Sequence, residues 1–183
     1  MKNLFSIALF ALLINGCSSK EYYTLGDTSA IMTTVTYPQS IAVEKVDVPK
    51  YLKDNAIVRQ VSPYQVIRLK NANWLTPMQK RLTNVLISYL QKSLNNPNIY
   101  LYPWESKKET NKKVSLKIQR FISYKNYVIL EASYQITNLK TKAHQTKLFS
   151  TKVATTEEVE SMMESMEKAY FKLIKEIKKN IIK

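Results

Sequence analysis

Two stretches in the second half of the chain alternate apolar with polar residues, and this pattern limits the fold more than any other feature of the sequence. The apolar positions of the two rows are Val114, Leu116 and Ile118, then Val128, Leu130, Ala132, Tyr134 and Ile136. A period of two predicts strands with one buried face. With tight turns at 124–126 and 138–143 and a last strand over 147–154, the pattern predicts an antiparallel meander.

A long amphipathic helix is predicted to close the chain. Its apolar residues recur every three or four positions: Val159, Met162, Met163, Met166, Tyr170, Leu173, Ile174, Ile177 and Ile181. Thr155 is the expected cap, with Glu158 at the capping-box position. The Met-rich stripe and the lysines are typical of a membrane-surface helix, but the interspersed glutamates favour a helix packed on the core with solvated lysines.

An earlier helix has similar signals. Thr76 is the expected N-cap, Pro77 suits the first helical position, and Gln79 completes a capping box. The apolar stripe that follows faces a sheet and consists of Met78, Leu82, Val85, Leu86, Tyr89, Leu90 and Leu94. The segment 95–97 ends this helix.

The first half of the chain supplies further strands. Residues 41–48 read as one strand stopped by Pro49, residues 56–61 and 64–69 as a hairpin, and residues 99–102 as a short strand. The sequence therefore predicts an α+β fold, in which a mixed or mainly antiparallel sheet has two helices packed on one face.

The N-terminus is typical of an exported lipoprotein. A lysine is followed by an apolar run too short to span a bilayer, as in a secretory signal. The run ends in Ile14-Asn15-Gly16-Cys17, which resembles the bacterial lipobox. We therefore expect a signal peptide at 1–16, a lipidated Cys17 with a tether over 17–40, and one domain over 41–183. The alternative is a secreted protein that happens to carry a cysteine near its cleavage site.

Two further features bear on location and partners. Ser18 follows the cysteine where inner-membrane lipoproteins usually carry aspartate, which favours the periplasmic face of the outer membrane in a Gram-negative bacterium. The formal net charge is +14, and only Lys2 of the charged residues lies in the predicted signal. Since an exported protein does not meet nucleic acid, the excess favours anionic lipid headgroups or an acidic protein partner, or serves solubility alone.

Residues for catalysis are scarce. The chain has one histidine, one cysteine and two glycines, so neither a zinc cluster nor a glycine-rich phosphate loop is expected. His144 is interpreted as a surface residue, Trp74 and Trp104 as packing residues, and the glutamates at 157–160 as favourable charges at a helix start. We expect a non-enzyme without cofactor or metal; a hydrolase with an unrecognised site is the remaining enzymatic alternative.

Several short motifs in combination resemble a known family. They are Tyr22-Tyr23-Thr24-Leu25, the alternating segment 41–48, Val48-Pro49-x-Tyr51-Leu52, Ile57-Val58-Arg59, and Trp74 before a helix with Leu82, Leu86 and Leu90. This combination resembles the ABC-type transport auxiliary lipoprotein family, whose best-known branch is PqiC-like.

The resemblance implies an accessory lipoprotein at the outer membrane that acts in docking or assembly. Its implied partners are a periplasmic MCE-domain protein and an ABC permease, in a system that moves lipids or other hydrophobic molecules, and the accessory protein itself is commonly oligomeric. Tyr51, Leu52, Arg59 and Trp74 match the family pattern and either touch a partner or pack. The alternative function is a structural envelope lipoprotein whose basic surface binds anionic lipid or cell-wall polymer.

Overall fold

The computed structural model describes residues 19–29, 33–34, 36–103 and 110–183. In chain order the elements are β1 (Glu21–Tyr23), β2 (Ile41–Glu44), a 3-10 turn (Lys50–Leu52), β3 (Ala56–Ser62), β4 (Gln65–Trp74), α1 (Met78–Ser93), β5 (Ile99–Tyr102), β6 (Lys112–Tyr124), β7 (Tyr127–Asn138), β8 (His144–Ala154) and α2 (Val159–Ile181).

The meander predicted from the alternating residues is confirmed. β6 and β7 pair antiparallel along their whole lengths, from Lys112 opposite Asn138 to Tyr124 opposite Tyr127, with an irregularity between Ile118 and Arg120. β8 pairs antiparallel with the other edge of β7 and begins at His144, three residues earlier than predicted. Because the residues at 144–146 are polar, they gave no alternation that could mark the strand's start.

The second edge of β6 is shared by two parallel strands. β2 pairs with its first residues, and β3 pairs with its end at Arg59–Ser123 and Gln60–Tyr124. Between them Asp47 makes an isolated bridge to Lys117. The strand predicted over 41–48 therefore ends at Glu44, although Val46 stays buried.

The complete sheet has eight strands within the described residues. Its order is β1-β4-β3-β6-β2-β5, with β7 and β8 on the other side of β6. Parallel pairs (β1 with β4, β2 with β5 and β6, β3 with β6) and antiparallel pairs occur together. The predicted α+β class is confirmed.

Both helices pack their apolar stripes onto one face of this sheet. Leu82, Leu86 and Leu90 of α1 and Leu173 and Ile174 of α2 are fully buried in one core with the inward-facing residues of β6 and β7. In that core the Tyr170 hydroxyl donates a hydrogen bond to the carbonyl oxygen of Leu82 at 2.8 Å. Complete burial raises the pKa of Tyr170, so its hydroxyl stays protonated and donates the hydrogen bond that links α2 to α1.

Both predicted capping boxes are wrong. α1 follows Pro77 without a side-chain cap, and the Gln79 amide instead donates to the carbonyl oxygen of Val46 at 2.9 Å. α2 begins after Glu158, also without a side-chain cap, and Thr155 lies outside the helix. At α1, the Gln79 side chain pairs with a backbone carbonyl of the irregular segment beside β2. This tertiary hydrogen bond takes the place of the predicted capping bond.

Part of the segment predicted to be a tether is built into the domain. Glu21–Tyr23 forms β1, which pairs parallel with the end of β4, and Leu25 is buried. The Arg81 guanidinium donates to the carbonyl oxygens of Leu25 and Gly26, and the Lys92 ammonium donates to that of Thr28 at 2.7 Å. These bonds hold the N-terminal segment against α1.

Gly26 allows this segment to lie close to α1. Its φ is +85°, and a Cβ atom placed there would lie 2.3 Å from Cγ2 of Val85. We predict that Gly26→Ala lowers the free energy of unfolding by roughly 2–5 kcal/mol, because it adds both backbone strain and overlap. Urea unfolding followed by circular dichroism measures the change. In a Val85→Ala background the same substitution should cost less, since the overlapping side chain is gone; an equal cost in both backgrounds would contradict the overlap.

Candidate functional site

Leu52 and Trp74, two of the residues matching the family pattern, are buried. Leu52 is 2% exposed and Trp74 3% exposed, and both belong to the core shared with the helices. The backbone N–H of Trp74 also donates to the carbonyl oxygen of Asn55 at 2.6 Å. Their position inside the domain assigns them to packing and leaves no surface for a partner.

Tyr51 connects the 3-10 turn to the central strand of the sheet. Its hydroxyl accepts a hydrogen bond from the backbone N–H of Phe121 at 2.9 Å, just beyond the irregularity in β6. Burial raises the pKa of Tyr51 above its usual value. The neutral hydroxyl therefore supplies an acceptor to a buried backbone donor that the irregular ladder leaves over.

Arg59 lies half-buried where β3 meets β6. Its guanidinium donates to the carbonyl oxygen of Glu157 in the loop before α2, and the neighbouring Gln60 accepts from Arg120 at 2.8 Å. Nε of Arg59 is buried and has no hydrogen-bond partner within the described residues. Arg59 thus links the end of β3 to the loop before α2.

The remaining predicted residues lie elsewhere. Cys17, the signal segment 1–16 and Trp104 are outside the described residues. His144 is exposed at the start of β8. In the ranges that the structure describes, no three His, Cys, Asp or Glu side chains lie close enough together to hold a metal ion, and no helix there is long and apolar enough to cross a membrane.

The most exposed apolar surface is one that the sequence analysis missed. We call residues 61–68, the end of the β3–β4 hairpin, the hairpin tip. Tyr64 is 98% exposed and Val66 50% exposed, and Val61 and Ile67 are about two-fifths exposed. A soluble monomer rarely presents adjacent large apolar side chains without a use for them. The sequence signal for this surface was the adjacent apolar pair Val66-Ile67. Neighbouring residues in a strand point to opposite faces, so a strand with one buried face leaves one of the two exposed.

The hairpin tip projects because the sheet ends beneath it. The last pairing between β3 and β6 is at Gln60, opposite Tyr124, the final residue of β6. The base of the hairpin is fixed in the core by Ile57 and Trp74. Beyond that base, β3 and β4 pair with each other from Val58 opposite Arg68 to Ser62 opposite Gln65.

The charged residues of the hairpin tip and of the two residues after it are all basic. Residues 61–70 include Arg68 and Lys70 and no aspartate or glutamate. The nearest acidic contact of Arg68 is Asp54 at 3.9 Å, and both side chains are more than half exposed, so this pair contributes little. The hairpin tip is therefore an apolar end with a basic rim.

A second exposed feature is the edge of β8. This strand runs over eleven residues, and its pairing partner is β7. Leu148, near its middle, is 85% exposed on the face away from the helices. An open strand edge can accept a further strand through its free backbone groups.

Comparison with known proteins decides the family. The model of a family described as ABC-type transport auxiliary lipoprotein component matches residues 23–178, almost the whole of the described domain. The chain belongs to this family. The resemblance stated from the motifs of its first half is confirmed, and the match also covers β6–β8 and most of α2.

Two curated relatives carry the same name. The intermembrane transport lipoprotein PqiC of Escherichia coli (strain K12) and that of Shigella flexneri are each 31% identical to this chain over 110 residues. Each alignment covers 57% of this chain and 59% of the relative. The chain thus matches somewhat more than half the length of these relatives.

Solved structures share the fold. A crystal structure of an uncharacterized protein aligns over 89% of this chain and 99% of its own, with a TM-score of 0.73 and 19% identity. A protein of Xanthomonas campestris aligns over 86% of this chain and 92% of its own, with a TM-score of 0.65 and 13% identity. At these identities the likeness establishes the architecture alone.

The role of Tyr51 can be tested by removing one oxygen. We predict that Tyr51→Phe lowers the free energy of unfolding by about 1–3 kcal/mol, because the buried N–H of Phe121 loses its acceptor. Thermal and urea unfolding measure this. Tyr127→Phe, at an exposed tyrosine, is the matched control and should change stability by less than about 0.5 kcal/mol. If the two variants unfold alike, the hydroxyl of Tyr51 has no structural role.

Proposed function

We propose that this protein is an accessory lipoprotein of an MCE/ABC-type intermembrane transport system for lipids or other hydrophobic molecules. It is held on the periplasmic face of the outer membrane by acyl chains on Cys17, and it acts as a docking and assembly component without catalysis of its own. The single observation that carries the proposal is the family match over residues 23–178. The name of the relatives, intermembrane transport lipoprotein, supports the same role.

The position of β1 supports attachment close to the membrane. Cys17 is four residues before Glu21, the first residue of β1. A fully extended chain of that length spans at most about 14 Å. A lipid anchor on Cys17 therefore holds the sheet close against the bilayer rather than at the end of a long tether.

The edge of β8 is the surface that we assign to docking on the MCE-domain protein. β8 lies at the side of the sheet opposite β1, with β4, β3, β6 and β7 between them. A partner strand or loop can add to its free backbone groups, and Leu148 supplies an apolar contact beside them. Lys152 is exposed on the same face of β8 as Leu148, so the complementary surface is acidic.

One observation favours a second function. Lys172, Lys175 and Lys179 are exposed on α2, and none of them is in an ion pair within the described part of the chain. Such a face suits anionic lipid headgroups or an acidic cell-wall polymer, as expected of a structural envelope lipoprotein. Electrostatic binding of this kind weakens as salt rises.

Lipid attachment is tested at Cys17. Mass spectrometry of the native protein should find a cleaved leader and an acylated N-terminal cysteine. Cys17→Ser, secreted with a signal peptide whose cleavage does not depend on the cysteine, should move most of the protein into the soluble periplasmic fraction, because the acyl chains supply most of the membrane affinity. Cys17→Ser protein that remains on envelopes at low salt and leaves them at high salt would favour the second function. A free thiol at Cys17 in the native protein would contradict the anchor.

The docking role is tested by crosslinking. A photoreactive residue in place of Leu148 should crosslink to an MCE-domain protein in intact membranes, identified by mass spectrometry. The matched control places the same residue at Ile182, which is 52% exposed beyond the end of α2. Failure to recover such a partner from Leu148, or equal recovery from both positions, would contradict docking at the edge of β8.

A further inference from the structure

The hairpin tip and the start of the domain point toward the same end of the sheet. β1 and β4 are parallel, with Glu21 opposite Ala72 and Tyr23 opposite Trp74. The chain that precedes Glu21 therefore leaves in the direction from which β4 arrives. That direction leads to residues 65–70 and on to the turn of the hairpin.

The hairpin and the segment from Cys17 to Glu21 differ in how far they can extend beyond the end of the sheet. From Ala56, which pairs with Asn73, β3 runs six residues to Ser62 at the turn, or about 20 Å along the strand. Cys17 can lie at most about 14 Å from Glu21. Glu21 lies opposite Ala72, one residue further in this direction than Asn73, so Cys17 can reach about 17–18 Å from the level of Asn73 and the turn of the hairpin extends slightly beyond it.

The side chains at the turn are of the kind that enters a lipid interface. Tyr64, Val66 and Ile67 are exposed, and a tyrosine ring with a hydroxyl end is suited to the headgroup region. Arg68 and Lys70 follow in β4, and long basic side chains extend toward phosphate groups while their stems stay apolar. The absence of acidic residues over 61–70 removes the charge that an anionic surface would repel.

We propose that the hairpin tip inserts into the headgroup and upper acyl region of the membrane that carries the anchor. Because the segment between Cys17 and Glu21 need not be fully extended, the turn can lie beyond Cys17 by the roughly 5–10 Å to which interfacial elements penetrate. The protein is then held at two points, the acyl chains and the hairpin tip. This double attachment fixes the orientation of the sheet, so that β8 faces along or away from the bilayer. The proposal rests on the anchor at Cys17 that we propose above.

The test measures how deep the turn lies. The full-length chain is reconstituted through its anchor into vesicles of phosphatidylethanolamine and phosphatidylglycerol, with bromine on the acyl chains near the headgroups. Tyr64→Trp should show blue-shifted fluorescence that the bromine quenches. Leu148→Trp, at an equally exposed position on β8, is the matched control and should emit as in water without quenching. Subtracting the signal of the parent chain removes the contribution of Trp74 and Trp104.

Three outcomes would overturn the insertion. Emission from Tyr64→Trp could remain that of water and unquenched. It could be quenched no more than emission from Leu148→Trp. It could also be blue-shifted equally without vesicles, which would place the hairpin tip against protein, in a second copy or a partner.

A second variant separates insertion from the proposed function. In mature Cys17→Ser, which has neither the apolar leader nor an acyl anchor, Val66→Asp should weaken sedimentation with the same vesicles by about tenfold or more. Leu148→Asp carries the same change of charge and should leave sedimentation unchanged. Equal effects of the two substitutions would overturn the insertion. Failure to recover an MCE-domain partner would count against docking and would leave both vesicle measurements as they are.

Discussion

The backbone of β6 is the element on which the rest of the sheet depends. One edge of this strand carries β7 along its whole length, and β7 carries β8. The other edge carries β2 at its start and β3 at its end, and through them β5, β4 and β1. Because a strand has only two edges, this arrangement leaves no room for another strand to pair with β6. The hydroxyl of Tyr51 meets a backbone donor of β6 near its irregularity, so that the polar groups of this central strand remain paired.

The sequence predicted those elements whose signals are local. β6 and β7 followed from alternation, because one face of each packs on helices and the other is largely open to solvent away from the buried pair Ile122 and Ile129. The stripes of α1 and α2 followed from helical spacing for the same reason. β1 was missed because three residues give no period, and its partner strand lies far along the chain. The capping boxes were wrong because Gln79 found an acceptor in a segment distant in sequence.

The functional surfaces were harder to predict than the fold. The family pattern includes Leu52 and Trp74, yet both residues lie in the core of this domain. A pattern of apolar and aromatic residues does not distinguish packing from contact with a partner. The hairpin tip depends on where β6 ends, and that is a property of the assembled sheet. Only Cys17, which depends on a linear motif, could be proposed from the sequence without knowledge of the fold.

The parallel pairing of β1 with β4 has a consequence for biogenesis. During synthesis the N-terminus emerges first, but β1 cannot complete its ladder until β4 has followed, and β4 in turn pairs with β3, which pairs with β6. Contacts between residues far apart in sequence form late, because the intervening chain must first be closed into a loop. The segment that carries β1 therefore joins the sheet late in folding, after β3, β4 and β6 have assembled.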